Sequence, residues 1–131
     1  MTNKTLTAPV MTTPVIDGAT VPTISGTAPL YLPRAWVMFV ATGTPTISGS
    51  GNVSSITDGG TGRFTVNFTT AMPDANYAAI ANYNSGNTGS GTNNDGQASC
   101  YAHATGSVAV GVNDGSGSAE DPTYCSVIVM R

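Results

Sequence analysis

The chain has 131 residues and a net charge of −3, and only 8% of its residues are charged, against about 25% in a typical soluble domain. Its four basic residues are scattered, so no basic patch predicts nucleic-acid binding, and no apolar run approaches the roughly 20 residues that a membrane span needs. Uncharged Thr, Ser, Asn and Gly must therefore hydrate the surface, a composition typical of extracellular and virion-surface β proteins. The first ten residues lack the apolar region of a secretory signal, so a protein built for the outside would need another exit, of which release within a virus particle at lysis is one.

The first 33 residues differ from the rest of the chain. They contain five of the eight prolines, namely Pro9, Pro14, Pro22, Pro29 and Pro33. Proline removes a backbone donor and fixes φ, so this stretch can form neither a helix nor a central strand. Its apolar residues, among them Val10, Ile16 and Ile24, are too many for a free tail. We predict an extended arm over residues 1–33 that lies along its own domain or a neighbouring subunit, followed by a domain over residues 34–131.

From Arg34 onward, short apolar segments alternate with glycine-rich turns, and no segment repeats its apolar residues at helical spacing. In RFTVNFTT, the residues Phe64, Val66 and Phe68 should face a core, and Thr65 and Asn67 should face outward. The DGGTG segment before it predicts a hairpin turn. The nearly all-apolar RAWVMFVA predicts a strand buried on both faces or a subunit contact. The whole pattern predicts an all-β, antiparallel β-sandwich of jelly-roll-like form.

Few residues in the chain could perform chemistry. The single histidine, His103, lacks a serine in a G-x-S-x-G context and is expected to pack in the core or at an interface. One histidine and two distant cysteines, Cys100 and Cys125, are too few ligands for a zinc site. The cysteines are expected to be buried thiols, with a disulfide between neighbouring strands as the alternative. We therefore predict no catalytic, cofactor-binding or metal-binding residues, and no enzymatic activity.

Acidic residues are the remaining candidates for catalysis or for calcium binding. They are Asp58, Asp74, Asp95, Asp114, Glu120 and Asp121. Most stand where aspartate commonly forms turns, so a turn role is expected instead of paired acid–base catalysis. The stretch over residues 113–121, which begins at Asn113, offers oxygen ligands for calcium. It fails the EF-hand spacing, because Cys125 stands where that pattern needs glutamate, so a solvated loop is expected.

Aromatic side chains could form a platform for sugar rings. The candidates are Tyr31, Trp36, Tyr77, Tyr83, Tyr101 and Tyr124. Five of them lie in or beside apolar segments and are expected in the core or at an interface. Tyr83 opens onto the polar, glycine-rich loop over residues 84–96, so it is the best candidate for an exposed contact.

Three motifs lie between Arg34 and Ala81: R-A-W-V-x-F at residues 34–39, N-V-S-S-I-T-D at residues 52–58, and F-T-V-N-F-T-T-A-M-P-D-A-N-Y at residues 64–77. This segment resembles a module of bacteriophage tail-fibre and other virion proteins. The resemblance implies a non-enzymatic, β-rich virion structural protein, usually trimeric. Because the chain has no long repetitive shaft, it implies a short fibre-like or decoration module in place of a full fibre.

The expected function is thus a homotrimer on the surface of a virion, made in the host cytoplasm. It would dock on other capsid or tail proteins through residues 1–33 and contact host surface glycans, with no nucleic acid and no membrane insertion. Two alternatives stay open, namely a carbohydrate-binding module for receptor recognition and a capsid decoration or cement protein on the head. A small hydrolase is disfavoured, because no catalytic constellation is visible in the sequence.

Overall fold

The computed structural model describes residues 31–85 and 96–131, which form eight β-strands and no helix. The strands are β1 (Pro33–Val40), β2 (Thr46–Gly51), β3 (Val53–Asp58), β4 (Arg63–Phe68), β5 (Ala78–Asn84), β6 (Gln97–Ala104), β7 (Ser107–Asn113) and β8 (Tyr124–Met130). Within these ranges no helix could span a membrane. The chain divides into two units, Met1–Tyr31 and Leu32–Arg131. The predicted arm over residues 1–33 lies outside the described residues except for its last three.

The eight strands form two four-stranded sheets in which every pairing is antiparallel. Sheet A has the strand order β2-β1-β8-β5, and sheet B has the order β3-β4-β7-β6. Strands β1–β2, β3–β4 and β6–β7 are neighbours in both sequence and space, whereas β1–β8, β5–β8 and β4–β7 join distant parts of the chain. The predicted all-β antiparallel sandwich is therefore confirmed for the described residues.

The core lies between the two sheets and is built from alternate residues of each strand. Phe39 of β1 and Phe64 of β4 meet edge to face, with ring centroids 5.4 Å apart. Around this pair the inner faces contribute mostly valines, namely Val37, Val66, Val108, Val110, Val112, Val127 and Val129. The prediction for β4 is confirmed, since Phe64, Val66 and Phe68 are buried while Thr65 and Asn67 point away from the core.

Strand β1 differs from one of the two predictions made for it. Its inward residues Val37 and Phe39 are buried, but Trp36 and Met38 between them are exposed. The strand is therefore not buried on both faces, because no described part of the chain covers the outer side of sheet A. The alternative prediction, a subunit contact, stays a prediction.

A single residue, Asn52, connects β2 in sheet A with β3 in sheet B. Its φ is 56°, in the left-handed region that asparagine enters more readily than most residues. Its side-chain amide donates to the carbonyl oxygens of Arg34 and Thr70, each at 3.1 Å, and its Oδ1 accepts from the Thr70 backbone N–H at 2.8 Å. One side chain thus ties the start of β1 and the segment after β4 to the corner where the chain changes sheets.

Two replacements of Asn52 should separate the contribution of its side-chain hydrogen bonds from the contribution of its backbone conformation. Asn52→Ala removes three side-chain hydrogen bonds and places a poorly suited residue at positive φ, so we expect the free energy of unfolding to fall by about 2–4 kcal/mol. Asn52→Gly loses the same bonds but accepts the backbone conformation, so its loss should be about 1 kcal/mol smaller. Urea denaturation followed by circular dichroism measures both. Unchanged stability in both variants would contradict the role given to this corner.

Candidate functional site

The outer face of sheet B is polar. Its outward side chains come from all four strands of the sheet and include Ser55, Thr57, Arg63, Thr65, Asn67, Ser99, Tyr101 and Ser107. The Asn67 amide donates to Thr57 Oγ1 at 2.9 Å and to Ser55 Oγ at 3.1 Å, which links neighbouring strands on this surface. We call this surface the polar face. Its hydroxyl and amide groups can both donate and accept hydrogen bonds.

A shallow recess of about 400 Å³ lies on the polar face, and the residues that line it are Gly62, Arg63, Tyr101, Gly111, Asn113 and Ala119. The Tyr101 side chain is exposed and its ring lies against Gly111, where an added Cβ would stand 3.4 Å from Tyr101 Cε1. Within the described ranges Arg63 has no carboxylate partner. The recess therefore combines an aromatic ring, a guanidinium group and an amide, a set that can bind a ring bearing hydroxyl groups.

The hairpin turn between β3 and β4 positions one edge of this recess. Its last residue, Gly62, has a φ of 67° and donates its N–H to Asp121 Oδ1 at 2.8 Å. The Gly62 carbonyl oxygen accepts from the Val112 N–H at 2.8 Å. A side chain at Gly62 would collide with the Val112 carbonyl oxygen and would approach the Glu120 nitrogen to 2.8 Å. The turn is thus fixed to β7 and to the segment after it.

Three of the predicted turn-forming aspartates do form turns. Asp58 accepts from the Gly60 N–H and Asp74 from the Asn76 N–H, each at 2.8 Å. Asp114 Oδ1 accepts from the Ser116 hydroxyl at 2.7 Å and from the Ser118 N–H at 2.8 Å. These bonds, the Ser116 hydroxyl first, lower the pKa of the Asp114 carboxyl.

The remaining acidic candidates do not gather into one site. Asp74 also pairs with Arg131, and the hydrogen bond from this guanidinium is the main reason that the pKa of the Asp74 carboxyl is lowered. Asp121 serves the β3–β4 turn, and Asp95 lies outside the described residues. Over residues 31–85 and 96–131, no three His, Cys, Asp or Glu side chains are grouped closely enough to hold a metal ion.

The histidine packs against a structural tyrosine. His103 is half-buried, and its ring centroid lies 4.9 Å from that of Tyr77. The Tyr77 hydroxyl lies 2.7 Å from the Ser107 carbonyl oxygen and 3.0 Å from that of Ala104, so it binds the turn between β6 and β7. Burial raises the pKa of Tyr77. His103 is therefore a packed side chain, as predicted.

The aromatic predictions are only partly right. Tyr83 is 7% exposed, so its choice as the exposed contact is wrong; it pairs with Cys125 in the sheet and points into the core with it. Tyr77 is buried as expected. Four residues expected in the core or at an interface are exposed in the single chain, namely Tyr31, Trp36, Tyr101 and Tyr124. The exposure of Trp36 could not be predicted because the apolar run around it shows no alternation, and Tyr101 is followed by a register shift and by Ala102 at positive φ.

The outer face of sheet A is apolar. Trp36, Ile128 and Ile80 are paired across β1, β8 and β5, and they are 46%, 46% and 60% exposed. Met38, next along β1, is 39% exposed, and we call these four side chains the apolar face. The Trp36 ring lies over Gly51 of β2, where a Cβ would stand 2.9 Å from Trp36 Cδ1.

Both cysteines are free thiols on the inner sides of their sheets. Cys125 of β8 is fully buried, and this burial is the main reason that its pKa rises to about 12. Cys100 of β6 is half-buried, and burial raises its pKa as well. Two protonated thiols in apolar surroundings react slowly, because the thiolate is the nucleophile. This arrangement agrees with the prediction of buried thiols and not with the alternative of a disulfide between neighbouring strands.

Comparison with known proteins adds no relative: no family model matches the chain, and no curated protein sequence or solved structure matches it.

Two glycines in the β3–β4 turn allow a matched test of the recess edge. Both Gly60 and Gly62 have positive φ, but space is open around Gly60 and closed around Gly62. Gly60→Ala should therefore lower the free energy of unfolding by about 1–2 kcal/mol through backbone strain alone. Gly62→Ala adds a collision with β7 and should lower it by about 3–5 kcal/mol. Equal losses in the two variants, measured by urea denaturation, would show that the turn is not fixed to β7.

Proposed function

We propose that this protein is a non-enzymatic structural protein of a bacteriophage virion, a short fibre-like or decoration module displayed on the particle surface. The proposal includes the finer features expected from the sequence. These are a jelly-roll-like wrap of the sandwich, assembly into a homotrimer, and docking on capsid or tail proteins through residues 1–33. The chain is made in the host cytoplasm and reaches the outside as part of the particle.

One observation carries the proposal: residues in all three virion-like motifs fill the core or fix turns and corners of the sandwich. The first motif supplies Ala35, Val37 and Phe39 of the core. The second supplies the Asn52 corner and the Asp58 turn. The third fills the core from β4 and ends at Tyr77, which binds the turn between β6 and β7. The resemblance is thus carried by residues that build a sandwich, and this supports a structural role over a reaction.

The test of the virion proposal is the location of the chain. Particles are purified by density gradient from the lysate of a host that carries the gene, and their proteins are identified by mass spectrometry. We expect the full chain to band with the particles, and immunogold electron microscopy then to label their surface at the head or at the tail. A chain that stays in the soluble fraction while other virion proteins band with the particles would contradict the proposal.

A second candidate function is recognition of host carbohydrate by the polar face. It is favoured by Tyr101, whose exposed ring lies against Gly111 beside Arg63 and Asn113 in the recess. Hydroxyl and amide groups of low charge suit weak contacts with sugars, and a trimer would multiply them. This candidate is compatible with a virion location, because a particle protein can also bind a receptor.

A glycan array probed with the full chain tests this candidate. If a glycan binds in the recess, Tyr101→Ala should weaken its binding by about tenfold, since stacking on the ring is lost. Tyr31→Ala is the matched control, because Tyr31 is also an exposed tyrosine but lines neither the recess nor the apolar face. Equal binding by the two variants would place the carbohydrate elsewhere, and no bound glycan would remove this candidate.

A further inference from the structure

We infer that the apolar face of sheet A is the surface through which copies of this chain associate. This inference deepens the proposed function, because it rests on the proposed homotrimer and assigns the surface that forms it. The occupant of the apolar face is thus another copy of the same chain.

The register of sheet A gathers the apolar side chains into one continuous row. Trp36 stands opposite Gly51 on one side and Ile128 on the other, and Ile128 stands opposite Ile80. The row therefore crosses all four strands, from β2 to β5. A recess of about 380 Å³ lies beside it, bounded among others by Pro33, Met38 and Ser126.

The composition of the apolar face is that of an interface core. Such cores are enriched in aromatic residues and methionine, depleted in charge and surrounded by a polar rim. Trp36 and Met38 are the aromatic residue and the methionine of such a core. The polar rim is formed by Arg34, Asn82 and Ser126, which lie on the same side of the sheet. Arg34 is also the single charged residue in the four strands of sheet A.

The size of the apolar face agrees with this reading. Its four side chains are between 39% and 60% exposed, so together they leave on the order of a few hundred Å² of surface, the scale at which apolar patches mark interaction sites. A core of this size with its polar rim can supply one side of a subunit contact. The sandwich is also small enough for burial between subunits to add usefully to its stability.

Charge favours another copy over other occupants. Each chain carries a net charge of −3, so copies repel one another least where acidic side chains are absent, and the strands of sheet A contain no Asp or Glu. A lipid surface would be expected to meet several Lys or Arg side chains around the apolar residues, and these strands offer only Arg34. Sheet B, by contrast, carries hydroxyl and amide groups at the equivalent outward positions.

Trp36 makes the inference directly measurable, since it is the one tryptophan in the chain. We expect sedimentation velocity of the full chain to show an oligomer that dissociates on dilution. Trp36 emission should shift to longer wavelength, and its quenching by acrylamide should increase, over the same concentration range as the dissociation. Coincidence of the two transitions would locate the subunit contact at the apolar face.

Substitutions on the two outer faces complete the test. Ile128→Lys and Ile80→Lys should each raise the concentration needed for assembly at least tenfold and expose Trp36 to acrylamide, while the circular dichroism spectrum stays that of the β fold. Thr65→Lys is the matched control, because Thr65 stands outward on a central strand of sheet B. It should assemble as the unchanged chain does.

Four outcomes would overturn the inference, and they can be told apart. If both Ile128→Lys and Ile80→Lys stay folded and assemble normally, the homotrimer stands but another surface forms it. If the unchanged chain is a monomer with Trp36 exposed, the assembly part of the proposed function fails as well. A monomer with Trp36 protected from acrylamide would mean that another part of the chain covers this face. A shift in Trp36 emission only with phosphatidylserine vesicles would identify a lipid surface as the occupant. The particle test above is independent of all four.

Discussion

The edge-to-face contact between Phe39 and Phe64 is the constraint on which both surfaces of the sandwich depend. Side chains alternate along a strand, so burying Phe39 fixes Trp36 and Met38 on the outer side of sheet A. Burying Phe64 likewise fixes Arg63 and Thr65 on the outer side of sheet B. A slip of one residue in either strand would exchange core and surface along its whole length. The packing of two rings thus decides which groups any partner can meet.

The parts of the fold that the sequence predicts are those encoded by local alternation. Strand β4 and its hairpin turn were predictable, because RFTVNFTT alternates strictly and follows Asp-Gly. Strand β1 was not, because an uninterrupted apolar run has no visible period, and its one-sided burial is set by pairing with β8. Tyr83 was misplaced because its polar neighbours suggested exposure, while its pairing with Cys125 turns it inward.

The recess on the polar face could not be predicted for a different reason. Gly62, Tyr101 and Asn113 come from three segments that meet only through the pairing of β4 with β7 and of β7 with β6. No spacing in the sequence links them. The chemical contrast between the two outer faces, apolar on sheet A and rich in hydroxyl and amide groups on sheet B, follows from the same long-range pairing. Because the chain has so little charge, electrostatic steering is weak, and polarity is the main chemical difference between its two outer faces.

The position of β8 between β1 and β5 has a consequence for synthesis. Sheet A cannot close until Tyr124–Met130 leaves the ribosome, although β1 leaves it about ninety residues earlier. During that interval Val37 and Phe39 on the inner side of β1 stay uncovered, a state that favours aggregation and capture by chaperones. Such long-range pairing also slows folding, because bringing distant segments together costs chain entropy before their contacts stabilise the sheet. Premature termination before β8 would therefore release a chain with neither a closed core nor a complete apolar face.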